Sequence, residues 1–254
     1  MPFDRLIPAA FRRTPPPQVP GGQRVYAVGD VHGRMDLLER LVDHIRDDNS
    51  DREPAKTRII VLGDFIDRGP DSAATLSFLR EWSTDKIELL VLLGNHERAL
   101  IESLQGDEVT QDLWMGMGGA ATLKSYGVEP RRTQEPGLAF ADRLLTALTT
   151  ETVGWLQSLP LSWRSGDYFF CHAGVRPRVP LDEQRPEDLL GIKSDFLRNK
   201  SYHGAVIVHG HSDCGSEPVI ASNHLCLDTG AYKSGRLTAA GFQGEKMWVI
   251  QAGT

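Results

Sequence analysis

Ile59-Ile60-Val61-Leu62-Gly63-Asp64-Phe65-Ile66-Asp67-Arg68-Gly69 is the stretch on which the reading of this chain turns. Its first four residues form an unbroken apolar run rich in β-branched side chains. That is the pattern of a strand buried on both faces, as in a parallel sheet. Gly63 and Gly69 then bracket two carboxylates and an arginine where the strand should end. Open α/β sheets bind ligands at the carboxyl ends of their strands. A solvated turn with a local Asp67–Arg68 pair is the competing reading, and such a pair contributes little energetically. What surrounds the stretch decides between the two.

On its N-terminal side, Val25-Tyr26-Ala27-Val28 reads as a strand running into Gly29-Asp30-Val31-His32-Gly33. Met35, Leu38, Leu41, Val42 and Ile45 then repeat at helical spacing. On the C-terminal side, Pro70-Asp71-Ser72 is a helix start, and Leu76, Leu79 and Trp82 give that helix an apolar side. Ile87 to Leu93 is a third strand, ending in Gly94-Asn95-His96-Glu97. This β-α-β-α-β order with short connections predicts an α/β fold with a parallel sheet and right-handed crossovers. Helical patterns at 98–105, 119–126, 138–148 and 150–158 predict a helical insertion (98–160) packed over one sheet edge. Strand signals return at 168–171, ending in His172-Ala173-Gly174, and at 205–208, ending in His209-Gly210-His211. Short strands near 225–228, 236–241 and 246–251 complete a second, mixed sheet expected to face the first.

Composition bounds the rest. The chain has 254 residues, 40% hydrophobic and 24% charged, with a formal net charge of -6. That length suits one large α/β domain, here 24–254, after a leader at 1–23. In the leader Phe3, Leu6, Ile7, Ala10 and Phe11 have helical spacing, but Pro8 interrupts them and prolines follow, so a mobile segment is expected. No basic stripe suggests nucleic acid as a partner, and no run reaches transmembrane length. Arg12-Arg13 is followed by prolines rather than the apolar core of a signal peptide, and cytoplasm is the expected location. Cys171, Cys214 and Cys226, with no CxxC, read as reduced thiols. The sequence leaves the oligomeric state open, a monomer being compatible with it.

Five predicted strands end in polar residues of one chemical kind: Asp30 and His32, Asp64, Asn95 and His96, His172, and His209 with His211. Each alone has a dull explanation, such as a helix cap at Asn95 or a satisfied core histidine at His172. Together they converge, because parallel strands bring their carboxyl ends to one edge. Carboxylate, imidazole and amide donors without thiolate suit manganese, iron, zinc or cobalt. Two such ions would share a bridging carboxylate, for which Asp64 is placed best, and would polarise water into a nucleophile. The resulting positive centre would attract phosphate to an acidic protein. His209 lies two residues from His211 on an extended segment and is left outside the ligand set.

Gly29–Gly33, Gly63–Gly69 and Gly94–Glu97 resemble the three signature motifs of the metal-dependent serine/threonine phosphoprotein phosphatases. These belong to the calcineurin-like metallophosphoesterases. His172-Ala173-Gly174 and Gly210-His211 resemble the two later motifs, so the similarity covers roughly residues 24 to 250. It is greatest to the bacterial and phage branch, with which Trp114, Gly118-Gly119, Ser125-Tyr126-Gly127 and Asp228-Thr229-Gly230-Ala231 also agree. The resemblance implies a sandwich of two mixed β-sheets flanked by helices, and two divalent metal ions. By the same resemblance Asp30 and His32 would bind the first metal, Asp64 would bridge, and Asn95, His172 and His211 would bind the second. His96, oriented by Asp67, would be the general acid, and Arg68 with Asn95 would hold the substrate phosphate.

In one place the sequence departs from that pattern. Members of this branch carry a phosphate-binding arginine after a tryptophan in the stretch before the His211 strand. Here Gly191 and Lys193 stand at those positions. Lysine offers a point charge in place of a fork, and Arg176 is a further candidate for the missing contact. The implied activity is removal of phosphate from phosphoserine or phosphothreonine in a phosphoprotein, with phosphotyrosine left open. Within enzymes the alternative is a dinucleoside polyphosphate hydrolase on the same scaffold, Glu97 after Asn95-His96 favouring the protein phosphatases. A non-catalytic binding module is the alternative of another class.

Overall fold

A computed structural model of the chain describes residues 15–83 and 86–253. The opening stretch forms the end of β2. The chain enters through β1 (Gln23–Val28), α1 (Met35–Ser50), β2 (Lys56–Val61), α2 (Ser72–Arg80) and β3 (Ile87–Val91). The three strands are parallel, β1 pairing with β2 and β2 with β3. Alternation does what their sequences require. Val25, Ala27, Ile60 and Leu62 face one apolar layer, while Tyr26, Val28, Ile59 and Val61 face another shared with Leu38, Leu41 and Ile45 of α1. A strand buried on both faces is thus apolar without interruption.

The insertion contains α3 (Asn95–Ser103), α4 (Glu108–Trp114), α5 (Ala120–Ser125), α6 (Gly137–Leu148) and α7 (Thr150–Ser158). A π-helical turn, Met115–Gly119, joins α4 to α5. Leu100, Trp114, Leu123, Phe140, Leu144 and Leu156 carry these helices into the same layer as α1. The second sheet follows, with β4 (Ser162–Ser165), β5 (Tyr168–Cys171), α8 (Pro186–Gly191), α9 (Ser194–Leu197), β6 (Val206–His209), β7 (Val219–Ile220) and β8 (His224–Cys226). Its order is β4-β5-β6-β8-β7, parallel at its centre with antiparallel edges. Tyr168, Phe170, Val206, Val208 and Leu225 meet the first sheet's inner face. On the other side Phe169, Cys171 and Ile207 pack with Leu189 and Phe196 of α8 and α9.

After α10 (Ala231–Ser234), the hairpin of β9 (Arg236–Gln243) and β10 (Lys246–Gly253) departs from expectation. These two strands join the first sheet, whose order is β10-β9-β1-β2-β3, instead of extending the second. β9 pairs antiparallel with β1, giving a partner to an edge that would otherwise be open. Gly241 leaves room for Trp248, whose ring meets Tyr26 edge-on at 5.8 Å. Hydrophobic alternation suits either sheet, so only pairing could decide this placement. Both sheets are therefore mixed.

Residues 1–14 of the leader lie outside the described residues. Its later part is docked and does not fit the expectation of a mobile segment. Val19 is buried between the sheets and its N–H donates to Gly244 O at 3.0 Å. Gln18 and Asp167 exchange hydrogen bonds of 3.0 and 2.9 Å. Among the described residues no helix is long and apolar enough to cross a membrane.

Candidate active site

The carboxyl ends of β1, β2, β3, β5 and β6 deliver Asp30 and His32, Asp64, Asn95 and His96, His172, and His211 to one place. Asp64 is its hub. Its Oδ2 lies 3.3 Å from His172 Nε2, 3.8 Å from His96 Nε2 and 3.9 Å from His32 Nε2. Its Oδ1 accepts the His96 N–H at 3.0 Å. His32, Asp64 and His96 form one group able to hold a cation, and Asp64, His172 and His211 form a second. The two share only Asp64, as a bridging carboxylate requires.

The imidazoles are aimed by backbone carbonyls. His32 Nδ1 donates to Ile66 O at 2.8 Å and His172 Nδ1 to Leu62 O at 2.9 Å, so in both rings Nε2 is turned toward Asp64. Asn95 Oδ1 sits 2.8 Å from His172 Nε2 and 2.9 Å from His211 Nδ1. Asp30 is turned onto the His211 N–H, which lies 3.1 and 3.0 Å from its two oxygens. Gly210 is required for that approach, since a Cβ there would fall 1.9 Å from Asp30 Oδ1.

Electrostatics single out the same residues. Burial, with the negative charges of Asp228 and Asp64 beside it, pushes the Asp30 carboxyl well above its usual range. Burial would raise Asp64 too, but His172 and His96 carry it well below. Burial drives the His32 imidazole down to about 3 and His211 to about 4. Their neutral rings are the form that binds metal. His96 and His172 are the exceptions. Burial opposes charge on both rings, yet Asp64 and the hydrogen-bonded Asp67 raise His96 overall, and Asp64 with Glu97 raises His172. A buried Asp30 carboxyl short of counter-charge, beside Asp64 and its ring of imidazoles, forms a donor set that fits divalent cations.

Asp67 accepts from His96 Nδ1 at 2.7 Å, from Trp114 Nε1 at 3.0 Å and from Thr122 Oγ1 at 2.5 Å. The insertion thus supplies two of the three groups that fix it. Gly118, at φ 115, brings the π-helical turn against the next residue, and the Arg68 N–H donates to Gly118 O at 3.3 Å. Arg68 Nη1 reaches His32 Nε2 at 2.9 Å, so its guanidinium is inside the site. It also lies over the Tyr232 ring, 5.0 Å from the centroid.

The two basic residues proposed to replace an arginine differ. Lys193 is exposed at the start of α9, where its charge acts on His211 and Asp213. Arg176 is spent elsewhere. Its Nε and Nη2 grip both oxygens of Asp188 at 2.7 and 2.5 Å, which leaves no fork for substrate and corrects the expectation of a phosphate contact. His209 turns away, bonding Gly210 O at 2.9 Å and His224 Nδ1 at 3.0 Å.

Sequence reasoning gave no role to Glu97, although it lies within a recognised motif. Its carboxylate is fully buried and accepts N–H groups from Gly94, Asp64, Phe65 and Ile66 at 2.9 to 3.1 Å. Those bonds pin the loop that presents Asp64. Burial and the Asp64 charge raise Glu97 to about 7. Trp114 and Thr122 went unassigned because their partner lies in another element.

Residues 23–235 match the model of a family described as calcineurin-like phosphoesterase. A symmetrical bis(5'-nucleosyl)-tetraphosphatase of Methylococcus capsulatus is 32% identical over 153 residues, 60% of this chain. The chain spans only 44% of that relative's length. Serine/threonine-protein phosphatase 1 of Salmonella typhimurium is 29% identical over 227 residues, covering 87% of this chain and 93% of that protein. Among solved structures, that of a candidate diadenosine tetraphosphatase superposes with a TM-score of 0.61 at 20% identity, covering 91% of this chain and 94% of the other.

Proposed function

We propose, from the premise that the chain belongs to the calcineurin-like phosphoesterase family, that it cleaves a phosphorus–oxygen bond with two divalent cations held across Asp64. The observation that carries this reading is the position of Asp64 Oδ2 between three imidazoles that belong to two potential cation groups. Asp30, His32 and Asp64 would hold one ion, and Asp64, Asn95, His172 and His211 the other. Manganese is the expected metal, with iron and zinc as alternatives. When bound, such ions neutralise phosphate charge and activate water.

The protein's own groups do the rest. Arg68 binds phosphate oxygens as a fork, with the Asn95 amide beside it. His96, kept protonated and oriented by Asp67, donates its Nε2 proton to the departing oxygen, which avoids release of a bare alkoxide or phosphate anion. The buried walls around Asp64 strengthen both interactions.

For the substrate we favour dinucleoside tetraphosphates. The tetraphosphatase relative supports this class, as does Tyr232, an aromatic ring 36% exposed beside Arg68 where a nucleobase could stack. Phosphoserine or phosphothreonine in a protein is the second reading. The Salmonella relative supports it, together with Glu97, whose reach to four N–H groups depends on the longer acid in the Gly94–Glu97 motif. Kinetics with diadenosine tetraphosphate and a phosphothreonine peptide, each with and without Mn²⁺, separate the two. A higher kcat/KM on the dinucleotide is expected. A higher value on the peptide transfers the assignment to the second reading, and no metal-dependent turnover of either refutes both.

A further inference from the structure

Cys214 and Cys226 have no part in the chemistry above, yet they are placed together beneath His211. Cys226 ends β8 opposite His209 of β6. Its Sγ donates to Ser212 O at 3.1 Å. From the other side Cys214 Sγ donates to Asp228 O at 2.9 Å and lies 3.8 Å from Cys226 O. The Cys214 N–H also donates to Asp228 O at 2.9 Å, so residues 212–214 and 226–228 run side by side. Each thiol is thus directed at the facing segment, Cys214 at 226–228 and Cys226 at Ser212. We propose that Cys214 and Cys226 are a reversible oxidation site, a dithiol that a hydroperoxide converts to a disulfide and that thereby controls the placement of His211.

The two sulfurs are unequal in a way that orders the reaction. Cys214 is half-buried, whereas Cys226 is buried. The neighbouring Cys226 thiol holds the Cys214 thiol below its ordinary range, and the Cys214 thiol, with burial, drives Cys226 well above. A thiolate is the species that attacks peroxide. Cys214 thiolate therefore attacks hydrogen peroxide, forming a sulfenic acid and releasing hydroxide, which takes up the proton given up by Cys214 to leave water. The Cys226 sulfur then displaces the sulfenic hydroxyl, which leaves as water with the Cys226 proton. Two thiols lose two electrons, and one peroxide becomes two water molecules. A dithiol reductant reverses the change by exchange. Cys171 is a spectator: it is buried, its thiol is pushed up by burial, and it donates to Gly174 O at 3.4 Å.

The site would feel this bond through the backbone. A disulfide of about 2.0 Å draws Cys214 toward β8 and removes both S–H donors, one of which holds Ser212 O. Ser212 adjoins His211, whose N–H holds both oxygens of Asp30. Oxidation thus loosens a contact between two proposed metal-binding residues without any substitution there.

The test uses the full chain loaded with Mn²⁺ and treated with hydrogen peroxide. Intact mass should fall by about 2 Da, titratable thiols should drop from three to one, and peptide mapping should join Cys214 to Cys226. Turnover of p-nitrophenyl phosphate should fall several-fold and return with dithiothreitol. Cys214→Ser should keep its basal turnover, show no mass loss and resist peroxide, and Cys226→Ser, if it folds, should behave alike. A gain of oxygen mass, a disulfide to Cys171 or an intermolecular disulfide overturns the proposal. A Cys214–Cys226 disulfide with unchanged turnover overturns its link to His211. Equal inactivation of Cys214→Ser places the oxidation at the metals and refutes it too. Mass and thiol readouts stand even if the proposed hydrolysis fails, so the two failures are distinguishable.

Discussion

Asp67→Asn tests the division of labour between the metal ligands and the proton donor. The change keeps the shape of the side chain and removes its charge from a position 2.7 Å from His96 Nδ1. Both groups are buried, at 0% and 1% exposure, so water screens little of the interaction. A hydrogen bond to a charged group contributes about 1.5–3 kcal/mol, roughly a 10- to 150-fold effect if it is lost in the transition state. Two causes raise the His96 pKa, Asp64 and Asp67. Bound cations would neutralise much of the first, so the second governs the loaded enzyme. Without it the His96 pKa falls, and the proton is lost at lower pH. Activity that depends on His96⁺ should therefore show its alkaline limb moved toward lower pH, with kcat/KM down by roughly 10- to 100-fold above that limb. The loss should be smaller for p-nitrophenyl phosphate, whose leaving group needs no proton, than for an alkyl phosphate. The assay is a pH series of kcat/KM on both substrates, with metal content measured in the same preparations. An unmoved limb, or equal losses on the two substrates with metal retained, would refute His96 as the proton donor.

Arg68→Ala should retain both metals and lower kcat/KM by about 10²-fold or more, with KM raised, since one guanidinium supplies the phosphate fork; unaltered KM places the oxyanion grip elsewhere. Lys193→Arg, by restoring a fork at the site's rim, should raise kcat/KM, and an unchanged or lower value excludes Lys193 as a phosphate contact. Glu97→Gln should destabilise the fold by about 2–4 kcal/mol in urea denaturation, because an amide nitrogen must face N–H donors that now meet a carboxylate oxygen; stability within error of the parent would show that the loop holds itself.

Much of this fold is present in local sequence. Val25–Val28 and Ile59–Leu62 carry the unbroken apolar pattern of a doubly buried strand, Ile87–Val91 at the sheet edge is interrupted by the exposed Glu88, and each is followed by polar candidate ligands. The histidines proposed to face the metals were legible for that reason: topology, once guessed, placed them. Partnerships between distant elements were not. Nothing in Arg236–Gln243 says that it pairs with β1, and nothing near Trp114 or Thr122 says that both hold Asp67. Arg176 misled because sequence gives a side chain's charge and approximate location but not its nearest acid, here Asp188.

The backbone explains why so many site residues come from motifs bracketed by glycine. His32, Asp64, Asp67, Arg68 and His211 all have positive φ, between 47° and 69°. None is glycine, and each such conformation costs of order 1 kcal/mol or more for a residue with a side chain. They cannot be relaxed by glycine substitution without loss of the side chains to which the proposed chemistry is assigned. The surroundings must therefore hold them. For Asp64 the holder is visible: Glu97 takes the N–H groups of Asp64, Phe65 and Ile66 in succession. For Asp67 it is Ser72 and Thr122, whose hydroxyls accept its N–H at 2.9 and 3.0 Å. For Arg68 it is Gly118 O in the insertion. The helical insertion therefore does more than wall a groove. By bonding Asp67 and Arg68 through both backbone and side chain, it fixes the partner of the proposed proton donor and the proposed phosphate fork as one unit, in a geometry the strand end alone would not adopt.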